Sequence, residues 1–233
     1  MNKLLPLFLL LTASFPTMAQ QAPQTSIPLP PNYQTVLADH TFKVIRVHYG
    51  PHEKVPVHDH PDTPTVYVYL NNSGPVNIIH SEPKPVTITR PPTHLGAFRF
   101  SPGVIERHAI ENLSNLPSDF LRVELPNLKL GDKSEEFRGP APTDLTQNID
   151  STEFSSPHVT VRRVLCVTVV PCIVPLTTAP AILVAFSDTL LTHNGQTTKI
   201  GLGSVLPVAP QQTFQIAPSN PNEPAHILLI SSH

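Results

Sequence analysis

Tryptophan is absent from this chain, and cysteine occurs only twice, at Cys166 and Cys172. Two cysteines are too few for a metal site built on thiolates. A straight strand would hold residues six apart at about 20 Å, beyond disulfide reach. Pairing therefore needs a turn over residues 167–171, and the alternative is two buried thiols on an apolar strand. Charged residues make up only 14% of the chain, and the net charge is −2. That balance excludes a nucleic acid or an anionic membrane surface held by charge. There is no apolar run of about 18 residues, so no membrane-spanning helix is expected once the leader is removed. Gly-x-Ser-x-Gly and P-loop motifs are missing, and neither cysteine belongs to the histidine-bearing region.

Proline, by contrast, is abundant at 29 residues. Runs rich in Val, Ile and Thr lie between the prolines with little helical periodicity, which is an all-β signature. Met1-Asn2-Lys3 is a short basic start, residues 4–15 are apolar, and Thr17-Met18-Ala19 offers a small-residue cleavage signal. Residues 1–19 thus read as a secretory signal peptide, which implies a periplasmic or secreted protein. Residues 20–32 form a polar, proline-rich leader expected to be extended.

Strand-like segments follow at 41–49, 55–60, 65–70, 76–80, 86–89, 96–100, 106–112 and 120–125, all within a first unit of residues 33–126. Residues 127–154 are charged and rich in Gly, Pro and Asp, and read as a linker with at most a short helical turn. Residues 155–233 return to the β pattern as a copy. A gapless shift of 117 residues lays 43–47 on 160–164, Arg46 on Arg163, and 66–69 on 183–186. Residues 203–210 resemble 96–102, and Asn220 mirrors Asn112. The same shift lays Pro175 and Thr177 on His58 and His60, and the offset that lays Asn220 on Asn112 brings His108 near Ile216, so the copy is expected to lack a metal site.

His58 and His60 stand as His-x-His in VPVHDHP. Residues i and i+2 of a strand share a face, so both rings can reach one ion. His108 follows a Pro102-Gly103 turn signal in a distant strand-like segment. Together they can occupy one face of a divalent transition metal and leave other positions open. Ring nitrogens suit Fe, Mn, Ni, Zn or Cu without choosing among them.

These residues resemble the cupin superfamily. Gly50, His58, His60 and Gly74 follow its first motif, and Gly96, Pro102, Gly103, His108 and Asn112 follow its second. The resemblance covers residues 33–126 closely and 155–233 weakly. It implies a jelly-roll β-barrel present twice, a bicupin with a degenerate C-terminal half. It also implies, by likeness to three-histidine cupins, oxygen-dependent oxidation or cleavage of a small molecule. The family's carboxylate ligand falls on Pro64 or Thr65, which supply none, and Asp62 is a substitute off register. A non-catalytic binding or structural module is the rival reading. Cupin barrels pair through their sheets, which either a homo-oligomer or the internal copy would satisfy.

Four further residues are candidates. Tyr67 and Tyr69 share a strand face, and their hydroxyls can order a substrate or a water. Glu106 can share the face of His108 as a ligand or proton shuttle. Arg46, if inward, would hold a substrate carboxylate through two parallel hydrogen bonds, although its counterpart Arg163 argues for a structural role in both halves. Arg99, between Phe98 and Phe100, is expected to face out or toward the other half. His48 and His52 could add a fourth nitrogen but are expected at the surface or behind the ligands, and His40, His80 and His94 are expected to be exposed to solvent.

Overall fold

The computed structural model describes residues 26–82, 84–130, 136–174 and 177–233. The proposed signal peptide lies outside the described residues. These residues hold 19 strands and no helix. The first half contains β1 (Tyr33–Ala38), β2 (Lys43–Tyr49), β3 (Lys54–His60), β4 (Thr65–Tyr69), β5 (Val76–His80), β6 (Val86–Arg90), β7 (Phe98–Ser101), β8 (Glu106–Asn112), β9 (Ser118–Glu124) and β10 (Phe137–Gly139). The second contains β11 (Ile149–Ser155), β12 (Val159–Cys166), β13 (Cys172–Val174), β14 (Ala181–Ala185), β15 (Thr189–His193), β16 (Gln196–Ile200), β17 (Val205–Val208), β18 (Phe214–Pro218) and β19 (Ala225–Ser232).

The first half pairs as β1-β2-β9-β4-β7-β10 and β3-β8-β5-β6, the second as β11-β12-β19-β14-β17 and β13-β18-β15-β16. Apart from the edge strand β10, each strand has its counterpart ten places later, so the jelly roll occurs twice. Period-2 alternation gives each large sheet two different faces. Val44, Val66, Val68, Phe98, Phe100, Leu121 and Val123 face the second half, where they pack on Val159, Val161, Ile182, Val184, Leu228 and Ile230. Burying each such side chain contributes about 1.5–3 kcal/mol, so this seam is a shared core.

The seam also contains Arg163, which is 0% exposed. Its guanidinium bonds both Glu153 carboxylate oxygens (2.6 and 2.8 Å), the Gly96 carbonyl (2.8 Å) and His226 Nε2 (2.7 Å). Arg46 approaches Gly203 in the mirrored arrangement. Gly96 and Gly203 both have positive φ, +85° and +75°, which a side chain would strain, and both backbones bond the last residue of the adjacent strand, Tyr69 or Ala185.

Several expectations need correction. The stretch read as a linker is partly sheet: β10 pairs with β7 and β11 with β12. Its polar composition reflects edge strands, which keep one side in water. β1 carried no strand signal because most of its residues are exposed and the alternation is missing. The gapless shift of 117 fails after the second strand. Val66 and Val68 correspond in face to Ile182 and Val184, a shift of 116, and a one-residue slip reverses every side chain. The equivalents of His58 and His108 are therefore Val174 and Phe214, which pair with each other as the two histidines do. Cys166 and Cys172 form a disulfide, with the turn over the intervening residues that pairing required. It ties β12 to β13, one strand from each sheet of the second half.

Candidate metal centre

A β-bulge builds the centre. In the β3–β8 pair, Val55 faces Ile110 and His58 faces His108, so β3 carries one extra residue across Pro56-Val57. Without it, inward Val55 would turn Val57 and Asp59 inward as well. The bulge shifts the phase and brings His58 and His60 inside instead. Proline suits this position because its missing N–H is not needed in the ladder. Asp59 then points outward, where Arg107 grips it through two bonds of 2.7 and 2.9 Å and the Ile27 amide adds a third at 2.7 Å. The Arg107 bonds, helped by the Ile27 amide, pull the Asp59 carboxyl down to about 2.

His58, His60 and His108 are 0%, 2% and 4% exposed, and their ligand nitrogens lie within 4.8 Å of one another. Ring centres stand 4.8, 4.9 and 4.9 Å apart. An imidazole nitrogen about 2.1 Å from a bound ion puts its ring centre ~3.2 Å away, so rings sharing an ion at octahedral to tetrahedral angles stand about 4.5–5.2 Å apart. The observed triangle falls within that interval. Both His60 nitrogens and His108 Nδ1 are buried without a hydrogen-bond partner. Burial, followed by neighbouring charges, pushes His60 far below the ordinary range and His108 down to about 3, so both are neutral and able to ligate. His58 is oriented by its own strand: Nδ1 donates to the Pro56 carbonyl at 2.8 Å, which leaves the Nε2 lone pair facing inward. Buried, convergent imidazoles, two of them with nitrogens that lack a partner, fit a transition-metal ion.

The sequence candidates separate on this geometry. Tyr67, Tyr69 and Glu106 line a cavity of about 60 Å³ beside His60 and His108. Glu106 Oε2 lies 3.7 Å from His108 Nδ1. Arg46 lies on the opposite face of β2 against the second half, outside the cavity, because inward Ile45 and Val47 fix the alternation. Arg99 also departs from expectation. Phe98 and Phe100 belong to the seam, so Arg99 turns into the first barrel, where it lines the cavity and ion-pairs with Glu136 at 2.9 Å. Asp62 is exposed and outside the histidine cluster. Thr65 spends its hydroxyl on the Thr63 carbonyl at 2.9 Å.

Sequence reasoning did not single out Tyr33, Arg90 or Arg122, and it put His80 in solvent, whereas His80 is half-buried beside His108. His80, Glu106 and His108 form a second close group, with the His80 and His108 rings 5.5 Å apart. Arg122 is 4% exposed, its Nε lacks a hydrogen-bond partner, and its guanidinium lies 5.2 Å over the Tyr67 ring. Arg90 lies 5.4 Å over the Tyr69 ring and bonds the Ser118 hydroxyl. Arg122 had a signal: in Phe-Leu-Arg-Val-Glu, alternation sets it apart from Leu121 and Val123, which face the seam. Tyr33 had none, because β1 lacks alternation.

Neither a protein-family model nor a curated protein matches the sequence. In shape the chain is similar to bacterial pirin YhhW from Escherichia coli in complex with nickel(II), at 11% identity and a TM-score of 0.58 over 85% of this chain and 89% of that one. It is similar to salicylate 1,2-dioxygenase from Pseudaminobacter salicylatoxidans, at 12% identity and 0.54 over 86% and 75%. A third likeness is a cupin 2 conserved barrel domain protein from Leptotrichia buccalis, at 10% and 0.51 over 86% and 88%. At these identities the likeness is one of architecture: the chain has the all-β, jelly-roll fold of cupin structures.

Proposed function

We propose that this protein is a secreted or periplasmic cupin that holds one divalent transition metal through His58, His60 and His108 and uses it for oxygen-dependent oxidation or cleavage of a small organic molecule. The observation that carries the reading is the set of buried imidazole nitrogens without partners, converging beside a cavity lined by Tyr67, Glu106 and Arg122. Structural histidines are normally bonded, because an unmade buried hydrogen bond costs about 1–3 kcal/mol. The bound metal would supply Lewis acidity and, for Fe, Mn, Ni or Cu, redox chemistry.

The chain's own residues define the substrate. A cavity of about 60 Å³ holds a small molecule and no polymer. Arg122 presents a buried, partnerless N–H, and Arg90 and Arg99 add two further guanidinium groups, so the wall favours an anionic or oxygen-rich group. Tyr67 and Tyr69 line the same cavity, with hydroxyls that can bond that group. Glu106, beside His108 at the cavity wall, is placed to take up or return a proton. The leader pattern of residues 1–19 and the Cys166–Cys172 bond support an oxidising compartment outside the cytoplasm.

The test is elemental analysis of untagged protein purified from the cell envelope, alongside His60→Ala. About one equivalent of metal in the parent and little in the variant is expected, on a chain whose intact mass begins at Gln20. Equal metal in both proteins, or none in either after reconstitution, would overturn the ligand assignment. A mature mass that retains residues 1–19 would overturn the export reading.

A further inference from the structure

The carboxylate that the cupin motif leads one to expect is missing at Pro64 and Thr65, and the candidate replacements are engaged elsewhere. Thr65 bonds the Thr63 carbonyl, and Asp62 is exposed. Glu124 is buried but held between Lys43 and Arg122, and does not join the histidine cluster. Glu106 approaches His108 from the His80 side. Among the described residues, one side-chain oxygen is hydrogen-bonded to a nitrogen of the triad: the Tyr33 hydroxyl, 2.8 Å from His58 Nε2.

The direction of that bond is fixed. His58 Nδ1 donates to the Pro56 carbonyl, so in the neutral ring Nε2 accepts and Tyr33 donates. The Tyr33 oxygen in turn accepts from Tyr49 at 2.6 Å. The Tyr33 ring lies 4.8 Å from that of His58 and 5.4 Å from that of His60. Two donor atoms, each about 2.0–2.1 Å from one ion and at right angles, stand ~2.9 Å apart. The hydroxyl and His58 Nε2 already have that separation. β1 supplies the side chain from the outer edge of the sheet, through its pairing of Tyr33 with Val47.

We propose that Tyr33 is the fourth protein ligand of the metal, its phenolate oxygen standing in for the absent carboxylate. The inference rests on the three-histidine reading and extends it. Phenolate is a hard oxygen donor used by iron proteins, and it carries the same single negative charge as the carboxylate it replaces. On coordination the oxygen gives its proton to solvent, the bond to His58 is exchanged for a bond to the ion, and Tyr49 remains as donor to the phenolate. Tyr49 is a positioning residue in this arrangement.

A metal-bound phenolate has a signature independent of any turnover, a visible ligand-to-metal charge-transfer band with tyrosinate modes in resonance Raman. The full-length mature protein, loaded with Fe(III) or Cu(II) alone, should show both. Tyr33→Phe should lose both, retain histidine-bound metal, and bind it at least about tenfold more weakly. Tyr49→Phe should keep the band at a shifted energy, because it removes only the hydrogen bond to the phenolate. A loaded parent with no such band, or a band that survives in Tyr33→Phe, would overturn the Tyr33 assignment and leave the histidine site standing. A parent that takes up neither metal would overturn both readings together.

Discussion

The first barrel turns His58, Tyr67, Tyr69, Arg99, His108 and Arg122 into its interior; at the matching register positions the second barrel has Val174, Leu183, Ala185, Leu206, Phe214 and Leu229. Strand order and pairing are shared, and the seam-facing residues of both halves form one apolar cluster. The fold therefore has no need of the polar set. The second interior closes as an ordinary hydrophobic core around Val174, Leu183, Phe214 and Leu229. The first half keeps buried His60 and His108 nitrogens and the Arg122 Nε without hydrogen-bond partners, which local stability disfavours. Groups that break the packing rules in one copy and not in the other mark where function resides.

Turning the first interior into the second is the largest test. In the double variant His58→Val/His108→Phe, metal affinity should fall by more than about 100-fold, the upper end of what changes outside the ligand set cost. The melting midpoint of the metal-free protein should change little, since replacing His108 removes a buried Nδ1 without a partner while replacing His58 gives up its bonds to Pro56 and Tyr33. Titration calorimetry and thermal unfolding would read the two effects. Affinity within tenfold of the parent would show that the halves do not differ in metal binding.

The seam offers a second comparison of intermediate size. Arg163 and Arg46 are counterparts, yet Arg163 is fully buried on Glu153 and His226, while Arg46 is only half-buried. Urea unfolding of Arg163→Met should show a loss of about 2–4 kcal/mol, because the half-buried Glu153 carboxylate, the Gly96 carbonyl and His226 all lose their donor. Arg46→Met should lose about 0.5 kcal/mol or less. Equal losses would mean that the two arginines hold the halves together symmetrically.

The smallest effect is a pH slope. His226 lies between Arg163 and the Phe186 ring, and burial, reinforced by the Arg163 charge, pushes it down to about 3 from 6.5. The unfolded chain therefore binds more protons than the folded one between those values. The stability contribution is complete above about pH 6.5 and declines as pH falls toward 3. His226→Gln keeps an acceptor for Arg163 and does not titrate, so its stability should fall less steeply over that window. An identical slope in parent and variant would place the acid sensitivity elsewhere, for instance in the metal-free histidines of the first half.

Much of the site was legible because strand chemistry is local. His-x-His declared one face, Pro102-Gly103 announced the turn before His108, and Asn112 closes the following loop by bonding the Gly50 and Leu116 carbonyls. Arg99 was misjudged because alternation separates two faces without saying which one meets the seam and which the cavity. Arg46 was weighed as a substrate residue for the same reason. Tyr33 was invisible because its strand is an edge strand with little burial beyond its first residue.

By itself, then, the amino-acid order determined an all-β chain, an internal repeat and three histidines poised to share an ion, since composition, period and turn residues act over a few neighbours. Only the tertiary structure decided which faces look inward. The bulge at Pro56-Val57 sets the phase of His58 and His60. The one-residue slip between the halves places Val174 and Phe214 at the lost ligands, and the packing of two sheets through one seam sends Arg46 out of the cavity and brings Arg99 and Arg122 into it. The physical reason is the same in each case: a strand has two equivalent faces, and long-range pairing alone breaks that equivalence.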